Sequence, residues 1–295
     1  MASREEAPSD ASLLVVAGIH NKRSLGMEAV NGWLDADPEH TVLATVRGDD
    51  GYEFVEAESA KRDGRISLVR IDWVKSYAAS TLNRKLNELA GDTRTVKGAV
   101  HSVAGADNSN FELPAHEIDP SVYDTAFQST ASSLVRLVQG ARTHMVERAG
   151  VASYGFGVPG RSMEGYGGAL TVAKAALSQL VVDLGVSLGQ SSPRVRVAEI
   201  YPGYIPTTSA RGAIGLGPRD SIDVSRHFEE HAALTDTDAK KQREALRRMT
   251  VAFMLDPMFS ETTGARLPVD GGWSVRGSLG DIKEPQTSAP SEKGE

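Results

Sequence analysis

The chain has no cysteine. That excludes disulfides, thiolate metal centres and a cysteine nucleophile, and it suits a reducing compartment. Positive charge is in short supply. The 32 Lys and Arg stand against 39 Asp and Glu, so the net charge is −7 and the pI about 5.6. A polyanion such as a nucleic-acid backbone is therefore not an expected partner. The N-terminus lacks a basic stretch followed by an apolar one, and no apolar run approaches membrane-spanning length. The 7 His and the carboxylates show no metal-ligand spacing, and no metal is expected. No internal repeat and no second domain are visible. A soluble, cytoplasmic protein with no membrane partner is the expectation.

What is present is enough apolar material for one sizeable core: 40% of 295 residues. The two ends do not share in it. Residues 1–12 are charged and contain Pro and Ser, and residues 280–295 are Lys, Glu, Pro and Ser with almost nothing apolar. Neither segment buries enough surface to offset its ordering entropy, so both are expected to be tails around a folded domain of residues 13–279.

Within that domain short apolar runs alternate with helical patterns. Runs at Leu13–Ala17, Thr41–Val46, Ile66–Ile71, Gly98–Val103, Gly150–Tyr154 and Val195–Tyr201 read as buried strands, with a seventh possible at Arg266–Val269. Between them apolar residues recur at helical spacing, as in Leu82, Leu86, Leu89 and in Leu134, Leu137, Val138. Strands separated by helices imply right-handed crossovers and a parallel sheet. The pattern predicts one doubly wound α/β domain of the Rossmann type, with about seven strands and helices on both faces.

Open parallel sheets bind ligands at the carboxyl ends of their strands, and the first strand-to-helix turn usually holds a pyrophosphate. Here that turn runs from Gly18 to Gly26 and is not a GxGxxG motif. Spacing alone does not separate a phosphate cradle from a plain connection. Chemistry favours the cradle: Gly18 permits close backbone approach, Ser24 offers a hydroxyl, and Gly26 lets the helix pack tightly on the strand.

An early Gly, a Ser six residues later, then an aliphatic and a small residue together resemble the enoyl-acyl-carrier-protein reductase branch of the short-chain dehydrogenase/reductase superfamily. The later motifs resemble it in order. Asp72-Trp73 is similar to the pair that brackets the adenine, and His101-Ser102-Val103-Ala104 to a run whose backbone lies along the cofactor. Pro202 to Thr207 is similar to the turn that contacts the nicotinamide carboxamide, and Asp270-Gly271-Gly272 to the closing motif. The resemblance implies a nicotinamide cofactor held by Gly18, Ile19, Ser24, Leu25, Asp72, Trp73, Ser102, Val103, Ala104, Lys174, Ile205 and Thr207. Arg47, where the second strand ends, favours a ribose 2′-phosphate and hence NADPH over NADH. An exposed Arg on a solvated loop is the alternative, and Asp49 and Asp50 work against phosphate.

Hydride transfer to a polarised double bond needs alignment, a proton source and stabilisation of the developing oxyanion. In the superfamily a Tyr and a nearby Lys supply these. Lys174, on a helix of otherwise small or apolar residues, is the expected Lys; the alternative is a side chain snorkelling to the surface. Four residues before it stands Leu170, which has no proton to give, and this argues against the ordinary ketone or alcohol reaction. Enoyl reductases carry their Tyr seven before the Lys, here Gly167, while Tyr166 lies one further back. The flanking glycines allow Tyr166 to swing towards the site, so Tyr166 is the expected donor. Tyr154 is the second choice, unless it packs as a strand-end aromatic. His101 reads as cofactor-lining or packed rather than as an acid or base. Residues 205–250 fall where this family has its substrate lid, and Arg161, Arg211, Arg247 and Arg248 are candidates for meeting a phosphopantetheine or carrier surface.

The resemblance implies an NAD(P)H-dependent reductase of an α,β-unsaturated acyl substrate, free or carrier-bound, working as a homotetramer. The Gly-rich stretch from Gly155 to Gly168 departs from the family, which keeps two alternatives open: a reductase of a ketone, imine or cyclic enone, or a dinucleotide-binding sensor without catalysis.

Overall fold

The computed structural model describes residues 12–90, 95–105, 113–156, 168–207, 232–234 and 237–274. Seven strands form one all-parallel sheet in the order β3-β2-β1-β4-β5-β6-β7. They are β1 (Leu13–Ala17), β2 (Thr41–Val46), β3 (Ile66–Arg70), β4 (Val96–His101), β5 (Met145–Tyr154), β6 (Val195–Pro202) and β7 (Ala265–Val269). The first two match the sequence reading residue for residue. β4 and β5 begin earlier than expected, because Val96 already pairs with Met145 before the register shifts at Gly98 and Gly150.

The strands read as unbroken apolar runs because both faces are covered, as a parallel sheet requires. Val15, Ala17, Ala99, Val151 and Val197 point to one face, where they meet α3 (Ala78–Ala90), α5 (Ser133–Ala141) and α6 (Gly168–Gly189). Leu14, Val16, Val100, Ala152 and Ile200 point to the other, against α1 (Leu25–Ala36) and the charged helix α7 (Ala239–Leu255). α2 (Asp49–Ala60) adds Val55 to that second core. The short helix α4 (Pro120–Phe127), begun by an Asp119 cap and Pro120, packs outside α6. Burial of each large core side chain contributes roughly 1.5–3 kcal/mol.

α7 corrects the expectation of a lid over residues 205–250. Leu246, Phe253 and Met254 are buried in the second core, so residues 239–250 belong to the sheet's cover; residues 208–231 lie outside the described set. Four of its charges are engaged in ion pairs. Arg243 and Arg247 both bond the carboxylate of Glu28 on α1, at 2.8 and 3.0 Å, and Arg248 pairs with Glu244. A second correction concerns α6. At 22 residues it is long and apolar enough, by length and composition, to cross a membrane, which the sequence reading denied to any run. Here one side of it packs on the sheet and carries a buried lysine.

α7 ends on a cation. Arg196 of β6, 8% exposed, donates to the carbonyls of Phe253 and Met254 at 2.8 and 3.2 Å, and to those of Phe259 and Arg148. These include terminal carbonyls that the helix itself cannot satisfy. Replacement by an apolar residue, Arg196→Met, strands them. The expected cost is about 2–3 kcal/mol, read as a lower urea midpoint with an unchanged slope.

Candidate functional site

The strand order reverses between β1 and β4, and the crevice outside their carboxyl ends is the binding position of such sheets. Gly18 sits at its mouth with φ +94°, a conformation that side chains rarely adopt. A Cβ there would lie 2.6 Å from the carbonyl carbon of Ser102 and closer still to its oxygen. β1 and β4 are thus drawn together just beyond their ladder, where the Ser102 N–H donates to the Ala17 carbonyl at 2.9 Å. The glycine is needed by the two backbones themselves before any ligand is considered.

The turn that follows is ordered by Ser24. Its hydroxyl oxygen accepts from the N–H groups of His20 and Asn21 at 3.1 and 3.0 Å, leaving the hydroxyl proton to donate elsewhere. Leu25 opens α1, Ile19 is buried beneath the turn, and a Cβ on Gly26 would meet Ile19 and Val16, so the helix does ride close on the strand. Arg47 is exposed after β2. Asp49 is paired with Arg70, which also lies over the Tyr52 ring at 4.5 Å, so its charge is already matched.

On the far side Asp72 caps its own turn by accepting from the Val74 N–H. The Trp73 ring is not beside it: 5% exposed, it sits in the core with its indole N–H donated to Thr45 at 2.9 Å. The Trp73 ring is therefore a core residue. Ser102 and Val103 are half-buried and Ala104 exposed along the edge after β4. Ile205 and Thr207 follow β6 and are buried. The turn before them is pressed against α7: a Cβ on Gly203 would lie 2.6 Å from the Gln242 amide carbon.

Lys174 projects from α6 to the carboxyl edge of β5 and is 8% exposed, so it does not snorkel. Its ammonium donates to the Tyr154 carbonyl at 2.9 Å, which leaves two donor protons. Burial lowers its pKa to about 8, and the Glu199 carboxylate acts in the opposite direction. Tyr154 itself turns the other way, because alternation along β5 sends its side chain into the second core. Its hydroxyl meets Thr250 at 2.9 Å, and Thr250 gives its single proton to the Leu246 carbonyl at 2.7 Å. The phenol proton must therefore go to Thr250, and burial pushes the phenol's pKa well up. Tyr154 as proton donor is corrected to the packed reading. Tyr166 lies outside the described residues, as do Arg161 and Arg211.

A register row crosses the sheet under this edge: Thr45, Ala17, His101, Ser153, Glu199 and Arg266 are successive partners. His101, fully buried, lies between the hydroxyls of Ser153 at 3.1 Å and Ser133 at 2.8 Å. Desolvation first, and the Lys174 charge second, hold its pKa down to about 3, so it is a neutral packed residue. Glu199 was missed by the sequence reading, although an acid inside the apolar run Val195–Tyr201 was a visible anomaly. Its Oε2 accepts from the Tyr201 hydroxyl at 2.8 Å, and that hydroxyl also meets Ser178 of α6 at 3.0 Å.

A family model described as enoyl-(acyl carrier protein) reductase matches residues 18–274. The NADH enoyl-acyl-carrier-protein reductase of Synechocystis sp. is 27% identical over 178 residues, 60% of this chain and 64% of that protein. A chloroplastic NADH reductase of Oryza sativa subsp. japonica is 28% identical over 210 residues, 69% of this chain and 52% of that one. The chain thus spans between about half and two thirds of these curated relatives. The crystal structure of the Bacillus cereus enoyl-acyl-carrier-protein reductase with NADP+ and indole naphthyridinone aligns with a TM-score of 0.79 at 24% identity, over 90% of this chain and 98% of that one. The Aquifex aeolicus reductase aligns at 0.78 and 17% identity, over 91% and 98%. At such identities the structures speak for the fold.

Because the Tyr154 proton is spent inside the core, Tyr154→Phe is expected to cost stability rather than function. Thermal or urea unfolding should register a loss of about 1 kcal/mol. The affinity for nicotinamide dinucleotides should stay at the parent value.

Proposed function

The chain belongs to the enoyl-(acyl carrier protein) reductase family, and we propose that it is an NAD(P)H-dependent reductase of α,β-unsaturated acyl thioesters. The observation that carries this reading is Lys174: a buried ammonium with two donor protons left over, at the carboxyl edge of the sheet beside the strand-order switch. The residues fit a dinucleotide. Gly18 keeps the mouth of the crevice clear of a Cβ, the Ser24 hydroxyl has its proton to give, and the Ser102–Ala104 edge runs along the opening.

A bound nicotinamide coenzyme supplies the hydride. The protein's part is to hold and to polarise. Ser24 and the backbone of the Gly18–Leu25 turn meet the pyrophosphate, while Asp72 and the backbone beside it flank the adenine end. Ile205 and Thr207 take the carboxamide end. Lys174 holds ribose hydroxyls and places positive charge near the oxygen on which negative charge develops. Tyr166 is the proposed donor of a hydrogen bond to that oxygen. With Leu170 buried four residues before Lys174, the ordinary ketone-reducing arrangement has no proton at its usual position. A carrier-bound acyl chain and a homotetrameric enzyme are the companion proposals, taken from the family.

The test is stopped-flow oxidation of NADPH and NADH with a panel of enoyl thioesters, ketones, imines and cyclic enones. Turnover of the thioesters supports the reading. Coenzyme binding without turnover of any of them would replace it with a sensor. The lysine adds a pH signature. Its charged form is the one that binds, and its pKa is lowered to about 8. Coenzyme affinity and kcat/KM should therefore fall as pH rises through about 8, and Lys174→Met should be weak at every pH.

NADPH is the proposed coenzyme, supported by Arg47, exposed beyond β2 with Asp49 already engaged. Arg47→Glu should reverse the preference, lowering NADPH affinity relative to NADH at least about tenfold. An unchanged ratio in isothermal titration would remove Arg47 from the site.

A further inference from the structure

Glu199 is a buried carboxylate that the reaction above does not use. It is 0% exposed, and its Oε1 has no hydrogen-bond partner. An orphaned carboxylate oxygen in a core is costly, so something must compensate for it. Three features show that the protein has made room for this group and held it. Gly155, the residue after β5, leaves out the Cβ that would lie 2.9 Å from the Glu199 carboxyl carbon and closer still to Oε1. Tyr201 donates to Oε2 at 2.8 Å. Ser178, in contact with the Tyr201 hydroxyl, lies one turn beyond Lys174 on α6 and bonds the Lys174 carbonyl at 3.2 Å. One short hydroxyl chain therefore runs from the carboxylate to the helix turn that carries the lysine.

Among the described residues, the charges facing this place are few. From α6 there is Lys174; from β4 the neutral His101; from β6 Tyr201 beside Glu199 itself; and from β7 Arg266, whose guanidinium reaches Oε2 at 4.0 Å and is 41% exposed. β5 contributes the Tyr154 carbonyl and the Ser153 hydroxyl. Burial pushes the Glu199 carboxyl's pKa up, and Ser178, Tyr201, Lys174 and Arg266 all oppose that drive. The lysine and the glutamate are not in contact. The ammonium's described hydrogen-bond acceptor is the Tyr154 carbonyl, and Glu199's described ion pair is with Arg266. They are nonetheless two opposite charges buried on facing elements, where a low dielectric lengthens the reach of each.

We propose that Glu199 is a positioning residue for Lys174: from beneath the site it supplies the negative charge that keeps the buried ammonium protonated near neutral pH. Tyr201 and Arg266 in turn favour the ionised carboxylate against its burial. The inference rests on the coenzyme-binding reading only for its consequence, since the charge state of the lysine is a property of the protein alone. The direction of the effect is given by the physics. Burial drives the lysine towards its neutral form, and Glu199 opposes that drive. Removing the carboxylate leaves desolvation unopposed, so the lysine titrates at lower pH.

The experiment is a heteronuclear NMR titration of the coenzyme-free protein labelled at the lysine side chains. Lys174 is assigned by the resonance that disappears in Lys174→Arg. In Glu199→Gln the Lys174 midpoint is expected to fall to a pH about tenfold or more higher in proton concentration than the parent midpoint. Glu199→Met, which fills similar volume with no polar atom, gives the same reading should the amide variant fail to fold. Coenzyme affinity measured in parallel at pH 6 and pH 9 should then be lost earlier on the alkaline side in the variant, with about tenfold weaker binding at pH 9 and parent-like binding at pH 6. A merely structural glutamate would weaken binding equally at both pH values. A folded variant with an unmoved Lys174 midpoint overturns the proposal. A lowered midpoint in a protein that binds no coenzyme at any pH upholds it and removes the coenzyme-binding reading instead.

Discussion

A buried ammonium is the constraint around which this structure is organised. Lysine is rarely taken out of water, because desolvation opposes its charge, and a fold that does so must supply acceptors or counter-charge. Here α6 carries Lys174 to the end of β5, where the first acceptor is a strand-terminal carbonyl. The residues under that point are the exceptions on an otherwise apolar face of the sheet. His101, Ser153 and Glu199 form consecutive members of one register row, all fully buried. Neighbouring rows on the same face are aliphatic or alanine, as at Val151 and Val197. On this face of the sheet, polar groups enter the core at the level of the lysine.

The two faces of the sheet divide the work. On the face of α6 the strand ends bear the polar row. On the face of α1 and α7 the same strands bear Val16, Val100, Ala152 and Tyr154, a continuous apolar layer closed by Leu246 and Phe253. Ionic groups on that side serve the packing of helices: Glu28 between Arg243 and Arg247, and Arg196 under the end of α7. Period-two alternation in a strand explains the separation, since neighbours such as Ser153 and Tyr154 are sent to opposite faces.

Much of this was legible beforehand. Apolar runs bounded by turn residues located the strands, and their alternation with helical patterns implied a parallel sheet with its site at the carboxyl ends. Gly18 and Lys174 stood out for local reasons, one as a glycine where a strand gives way to a helix, the other as the single charge in the small and apolar run Leu170–Leu177. The surroundings of the Trp73 and Tyr154 rings were not legible, for one shared reason. A strand-end aromatic looks the same in a sequence whether its ring faces the crevice or the core, and its hydrogen-bond partners, Thr45 and Thr250, lie 28 and 96 residues away. Residues 239–255 hide their role in the same way, because their outward charges conceal the inward stripe of Leu246, Phe253 and Met254.

Fold class, the order of the elements and the lysine all follow from the order of the residues, since each is written in local patterns of polarity and turn chemistry. Which neighbours those residues meet was left to the packing of the whole. Packing drew β1 against β4 at Gly18, spent the Tyr154 proton inside the core, and brought Glu199 beneath the helix that carries Lys174. The reason is that hydrogen-bond partnership and electrostatic field depend on distance in space, and those distances are settled only when separate elements come together.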